Sequence, residues 1–340
     1  DGFEALCGFR EPAAAREVFE LIAHRGEGPA FQPLLERLNG PDPMRAAFEW
    51  FTAAEHGELA VLDNLCTAAT EAEGTDHDRP EFAVVRRLAA RYPGDPGIAV
   101  SVLLNYVTLR AGEALFLPAG NIHAYLSGLG IELMASSDNV LRGGLTPKHV
   151  DVPELLRILD FHPVTAAELS PETIREGAEL RYATPAPEFA VSVFDIDGAA
   201  LGGEIDAPCR HDGPQILVCT AGAVTVRSRT QTLELARGAA AWVAADDGHD
   251  LQLHIHPHWE DSYYDGQRWI CDVRRYKLTD FNAAEISDIV GRYTRRLAAI
   301  TGPDHLIAFR AGGWCVQPWD TIRAPLFENG IRIDSSVFAN

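Results

Sequence analysis

The sequence predicts a helical first part, then a mainly β sandwich or barrel, then an α/β tail, and three observations carry that reading. Apolar residues recur at three- and four-residue spacing up to about residue 92. From Ile98 the runs become short, β-rich and separated by glycine-containing turns, with no helix between them. After Asp247 strand-like and helix-like segments alternate, and the charge balance changes with them: 10 basic and 12 acidic residues follow, net −2, against net −18 before.

Taken in order, AAAREVFELIAHR and FAVVRRLAARY repeat on a helical period, and NGPDP and YPGDPG punctuate the helical part. IAVSVLLNYVTL is rich in β-formers and leads through a turn at Arg110 to Glu113 into a second short strand, ALFLP. AVSVFDI, QILVCTAGAVTV and AAWVA continue the series as further strands of an antiparallel sheet. The tail reads as LQLHIHP, AAEISDIVGRYTRRLAAITG, LIAFRAGGW, a short helical stretch and IRIDSSV, an order that implies βαβ units and a parallel sheet or barrel. The domains expected are thus 1–95 helical, 97–246 β and 249–340 α/β, with a boundary near Gly248 and no Ser/Pro-rich linker to mark it.

Composition narrows the function. With 29 basic against 49 acidic residues the net charge is −20, which argues against a surface that tracks phosphate backbones, so nucleic acid is excluded as a partner. No run reaches the roughly 18 apolar residues of a membrane span, and the first residues lack the basic and apolar regions of a signal peptide. Six scattered cysteines with no C-x-x-C pair predict reduced, mostly buried thiols in a cytoplasmic protein.

The densest chemistry lies in FLPAGNIHAYLSGLGIELMASSDNVLRGGLTPKHVD, residues 116–151. His123 and Tyr125, two apart on a strand, share one face, where a barrel mouth would hold a ligand. His123 is a candidate zinc ligand through a ring nitrogen, but zinc needs four ligands or three and a water, and a satisfied core or turn histidine fits as well. Glu132, on an apolar strand, needs a metal or a cation if it points inward. Arg142 and Lys148 flank the glycine-rich LRGGLTPK and can meet a phosphate as fork and point charge, or stand as ordinary solvated cations.

The run AGNIHAYLSGLGIELMASSDNVLRGGLTPKHVDVPELL closely resembles the signature region of type I phosphomannose isomerases, and FEALCGFR at 3–10 resembles the opening of that family's helical domain. The resemblance spans about residues 1–246. It implies a cupin (jelly-roll) fold with an α-helical domain, Zn2+ as cofactor, and interconversion of mannose 6-phosphate and fructose 6-phosphate. It makes His123 the metal histidine, Arg142 a catalytic arginine that contacts substrate, and Tyr125, Glu132 and Lys148 neighbours of the sugar phosphate. In the family a Gln and a His from a Q-x-H motif and a Glu also hold the zinc, all ahead of the helical domain. The sequence begins after their place, so weak isomerase activity is expected of it.

In LHIHPHWED, His254, His256 and His258 alternate, so extended backbone sets all three imidazoles on one side. Metal binding competes there with a His-rich surface loop or a strand end packed on Trp259. FRAGGW ends a β-run on Arg310, in the position where barrel enzymes keep functional residues, although a surface cation beside a glycine turn is equally simple. The tail, with GIRIDSSV, resembles a divergent NodB-like polysaccharide deacetylase over roughly 248–340. The resemblance implies that His254 and His258 pair on a metal, with His256 outside, and that the C-terminal α/β piece is part of a deacetylase barrel. The aspartate motif of that family would precede the segment, where isomerase-like sequence stands instead. Two incomplete enzymes meeting near Gly248 point to a partial or misjoined gene, ahead of a natural fusion. The alternatives to a mannose-6-phosphate isomerase are a metal-dependent polysaccharide deacetylase and an inactive sugar-phosphate-binding cupin.

Overall fold

A computed structural model of the chain describes residues 2–24, 28–53, 56–75, 78–135, 140–146, 150–196, 214–228, 231–243, 252–264, 269–270, 272, 274–311 and 317–334. The chain divides into two compact units, Asp1–Pro208 and Cys209–Asn340.

Unit 1 opens on a strand. β1 (Phe3–Phe9) precedes the helices α1 (Pro12–Ile22), α2 (Gly28–Leu38), α3 (Pro43–Thr52), α4 (His56–Glu71) and α5 (Pro80–Arg91). Proline stands in the first turn of α1, α3 and α5, where its missing N–H costs no helical hydrogen bond. A short helix, α6 (Gly97–Val100), and a 3-10 turn then lead into β2 (Leu104–Leu109) and β3 (His123–Ser127). FEALCGFR is therefore not helical: seven residues with five buried in succession read as a central strand, and β1 lies between β2 and β3, antiparallel to both. IAVSVLLNYVTL is also corrected, since its first half turns as helix and only its second half is strand. ALFLP forms no strand. Its Phe116 N–H instead donates to the Leu169 carbonyl at 2.8 Å, and Leu115 and Leu117 pack with Ala5, Cys7, Val107 and Leu169.

The two faces of this sheet bury different things. Leu6 and Phe9 join the helical core with Phe19, Phe31, Phe48, Phe51, Phe82 and Leu65, all essentially inaccessible to solvent. Ala5 and Cys7 face the opposite way, with Val107 and Leu169. Glu4 pins the sheet to α5: Arg87 donates to it at 2.6 Å and Ser127 at 2.5 Å, and the Tyr106 hydroxyl also donates to it. These donors hold its carboxyl at about 2, below its ordinary 4.5. Because the folded value lies below the unfolded one, the stabilisation is complete above about pH 4.5 and drains away as pH falls towards 2. Glu4→Gln is expected to cost about 1–3 kcal/mol near neutral pH and to flatten this acid limb, as measured by urea unfolding from pH 7 down to 3.

α7 (Val152–Ile158), capped by Asp151, and α8 (Ala166–Leu169), with a Thr165/Glu168 capping box, precede an antiparallel sheet of β4 (Glu172–Glu176), β5 (Glu179–Ala183) and β6 (Val191–Phe194). In unit 2, β7 (Gln215–Val218) pairs with β10 (Ala240–Val243), and β8 (Ala223–Arg227) pairs with β9 (Thr232–Ala236), all antiparallel. Beyond them β11 (Leu253–Ile255), the hairpin of β12 (Tyr263–Tyr264) and β13 (Trp269–Ile270), α9 (Ala283–Thr301), β14 (Ala308–Ala311), α10 (Trp319–Glu328) and β15 (Ile333–Asp334) follow. β11, β14 and β15 form a parallel sheet whose Leu253, Ile255, Phe309 and Ala311 pack with α9 and α10, as alternation of strand and helix requires. No helix among the described residues is long and apolar enough to cross a membrane.

Candidate active site

Local geometry begins at Gly8, which has φ +62° and makes the bulge between Cys7 and Phe9. A Cβ there would stand 2.4 Å from Val164 Cγ2 and 3.0 Å from Asn121 Nδ2, so only glycine lets the turn ahead of His123 lie against β1. Gly8 N–H then donates to the Ile122 carbonyl at 2.8 Å, and the Asn105 amide donates to the Val164 carbonyl at 2.7 Å.

His123 pairs with Cys7 and Tyr125 with Ala5, so both side chains stand on the face opposite the helical core. Both are exposed, and their rings lie 5.6 Å apart, with Phe3 5.4 Å from Tyr125. His123 Nδ1 lies 3.1 Å from the Asn121 carbonyl. A carbonyl only accepts, so Nδ1 is the donor and Nε2 is the nitrogen left to face a metal. Glu132 is exposed and lies outside any strand, where an apolar strand was expected, so its charge needs no inward partner. It accepts a hydrogen bond from the Tyr125 hydroxyl, and partial burial together with this carboxylate pushes the phenol pKa upward, keeping it protonated. Beside His123 in the register, burial pushes the Cys7 thiol up to about 11, which leaves it inert as a nucleophile.

Arg142 is exposed. Its loop is anchored on both sides, because Leu141 and Leu145 pack on the helical core and a Cβ on Gly143 would lie 3.2 Å from Ile122 Cδ1. Ile122 immediately precedes His123, so the loop of Arg142 abuts the start of β3. Lys148 lies outside the described residues. Among the described residues no three His, Cys, Asp or Glu side chains gather as a metal site, so His123 stands there as one donor and the described residues do not complete a zinc site. Sequence reasoning read YPGDPG only as a break between helices and missed Asp95 within it, which reaches the Arg142 loop.

In unit 2, His254 is the register partner of Arg310, and its Nδ1 lies 3.0 Å from the Arg310 carbonyl. Its Nε2 lies 2.9 Å from that of His256, so His256, expected outside the histidine pair, is a direct neighbour of His254. Strand alternation explains this, since Pro257 ends the strand and starts a 3-10 turn only after His256. That turn carries His258 onto Tyr276, ring to ring at 5.3 Å, while His256 stacks on Trp259 at 5.4 Å. Glu260 closes the turn onto α9 through Arg292 at 2.7 Å and Tyr293 at 2.8 Å.

Solved phosphomannose isomerases, whose fold is a cupin, match this chain over 72–73% of its length. Mannose 6-phosphate isomerase from Salmonella typhimurium, bound to fructose 6-phosphate and zinc, superposes with a TM-score of 0.59 and 32% identity, covering 72% of this chain and 59% of that one. A zinc-bound holo form matches with the same TM-score at 31% identity, over 73% of this chain and 60% of that one.

The chain is homologous to the mannose-6-phosphate isomerases. The Escherichia coli enzyme is 33% identical over 245 residues, 72% of this chain and 59% of that protein, and the Pan troglodytes enzyme is 31% identical over 273 residues, 74% and 62%. The chain thus spans about three fifths of the length of these curated relatives. No protein-family model matches it.

Proposed function

We propose that the chain carries the sugar-phosphate side of a mannose-6-phosphate isomerase, acting in the cytoplasm on mannose 6-phosphate and fructose 6-phosphate with Zn2+ as cofactor. The observation that carries this reading is one exposed sheet face bearing His123 and Tyr125, with Glu132 bonded to Tyr125 and the Arg142 loop packed against Ile122. Aldose and ketose interconvert when a proton moves between adjacent carbons through an enediol, so the site has to hold negative charge as it develops on oxygen. Arg142 is the cation for that oxygen, Tyr125 and Glu132 orient sugar hydroxyls as donor and acceptor, and Lys148 meets the phosphate. Zinc, when bound, supplies Lewis acidity, and His123 is assigned as one of its donors through Nε2. The reading assigns zinc a single donor, His123, and so includes reduced turnover.

The test is calorimetric titration with mannose 6-phosphate and fructose 6-phosphate, with and without zinc chloride, beside a coupled isomerase assay. Saturable binding of both sugars between about 1 μM and 1 mM is expected, and absence of binding would refute the reading. Turnover equal to that of the Escherichia coli relative would refute only the reduced activity, and binding with no turnover at all would favour an inactive sugar-phosphate-binding cupin.

One observation favours a second reading for the tail. In a parallel sheet, His254 stands in register with Arg310, His256 lies beside it, and His258 lies beside His256. We infer a deacetylase-like origin for 249–340, with His254 and His258 as its metal histidines. Zinc uptake by the chain that persists in His123→Ala and disappears in a His254→Ala/His258→Ala variant would support it, and uptake unaffected by the latter pair would refute it.

A further inference from the structure

We propose that Asp95 is a positioning residue for Arg142: its carboxylate latches the Arg142 loop onto the turn ahead of α6 and so sets where the guanidinium leaves the protein surface. The function of the latch rests on the sugar-phosphate reading above, whereas its existence rests on geometry alone.

Asp95 Oδ2 accepts the Leu145 N–H at 2.9 Å, fifty positions along the chain, and its Oδ1 accepts the Gly97 N–H at 2.7 Å. Leu145 has φ +54°, a left-handed conformation that a side chain with Cβ rarely takes unless its surroundings impose it, and it is the one non-glycine residue with positive φ among those described. The two backbones touch. A Cβ on Gly97 would stand 2.8 Å from Leu145 Cγ and 2.9 Å from Asp95 Oδ1, and one on Gly144, itself at φ +119°, would stand 3.2 Å from Asp95 Oδ1 and 3.3 Å from the Gly97 Cα. On its other side Gly143 meets Ile122. Residues 143–145 are thereby clamped between the 95–97 turn and Ile122, the residue just ahead of β3, and Arg142 leads out of the clamp into solvent.

A charged oxygen suits this task better than a neutral one. Each carboxylate oxygen takes one N–H, and hydrogen bonds to a charged acceptor are roughly twice as strong as neutral ones. In Asp95→Asn one of the two N–H groups faces an NH2 group and loses its acceptor, while the volume of the side chain is unchanged. Gly97→Ala attacks the same clamp from its other side, because the added Cβ pushes on both Leu145 and Asp95 Oδ1.

The experiment measures two things on the full chain. First, amide hydrogen exchange of the segment 140–146 is expected to be at least about tenfold faster in Asp95→Asn and in Gly97→Ala, with β1 and α5 unchanged, because the Leu145 amide has lost a charge-assisted bond. Unchanged exchange at 140–146, or equal acceleration throughout unit 1, would overturn the proposal. Second, affinity for mannose 6-phosphate is expected to fall several-fold in Asp95→Asn and to fall no further when Asp95→Asn is added to Arg142→Ala. Equal losses in both backgrounds would overturn the positioning role, since a general effect on stability adds where a shared pathway does not. If the unmutated chain bound no sugar phosphate, the functional reading would fail, and with it the role in binding, while the exchange measurement would still decide whether the latch exists.

Discussion

Phe9→Ala is expected to destabilise unit 1 by about 3–5 kcal/mol, the range for removing a wholly buried aromatic side chain. Phe9 is inaccessible to solvent, stacks on Phe161 with ring centroids 5.0 Å apart, and meets the edge of Phe48 at 6.2 Å. Phe48 comes from α3 and Phe161 from the segment after α7, so the ring ties the last residue of β1 to two distant pieces of chain. The Phe9 carbonyl also accepts the Val164 N–H at 2.9 Å, which keeps the site from collapsing freely around a cavity. Against a usual total stability of about 5–15 kcal/mol, a loss of this size leaves unit 1 barely folded. Urea unfolding followed by exchange at β1 and α3 measures it, and a loss under about 1 kcal/mol would show that Phe9 is not the junction described here.

Arg142→Ala is expected to weaken mannose 6-phosphate binding by about 10- to 100-fold, as loss of hydrogen bonds from a charged donor of about 1.5–3 kcal/mol implies. The side chain is exposed on an anchored loop, so the change should leave the unfolding midpoint in place. Arg142→Lys keeps the charge and loses the planar fork, and should recover only part of the affinity. Calorimetric titration of the three proteins separates the outcomes. Equal affinity in all three would remove Arg142 from the site, and full recovery by lysine would mean that only its charge is used.

The charge balance, the helical period of α1 to α5, the strand–helix alternation of the tail and the pairing of His123 with Tyr125 on one face were all legible in the amino-acid order, because each depends on neighbours within a few positions. The contiguous isomerase-like run carried the likeness that the solved structures extend over 72–73% of the chain. Where partners are distant, the order of residues was silent or misleading. Phe3–Phe9 looked like the opening of a helical domain and is the central strand between β2 and β3, since its partners lie a hundred residues downstream. YPGDPG read as punctuation, and Asp95 within it holds Leu145. By itself, then, the sequence determined local period, charge and the identity of the candidate groups. Only the tertiary structure decided that Glu4 joins sheet to helix, that Gly8 admits Val164 and Asn121, and that Asp95 latches the Arg142 loop, because a hydrogen bond or a van der Waals contact depends on distance in space and leaves no periodic mark along the chain.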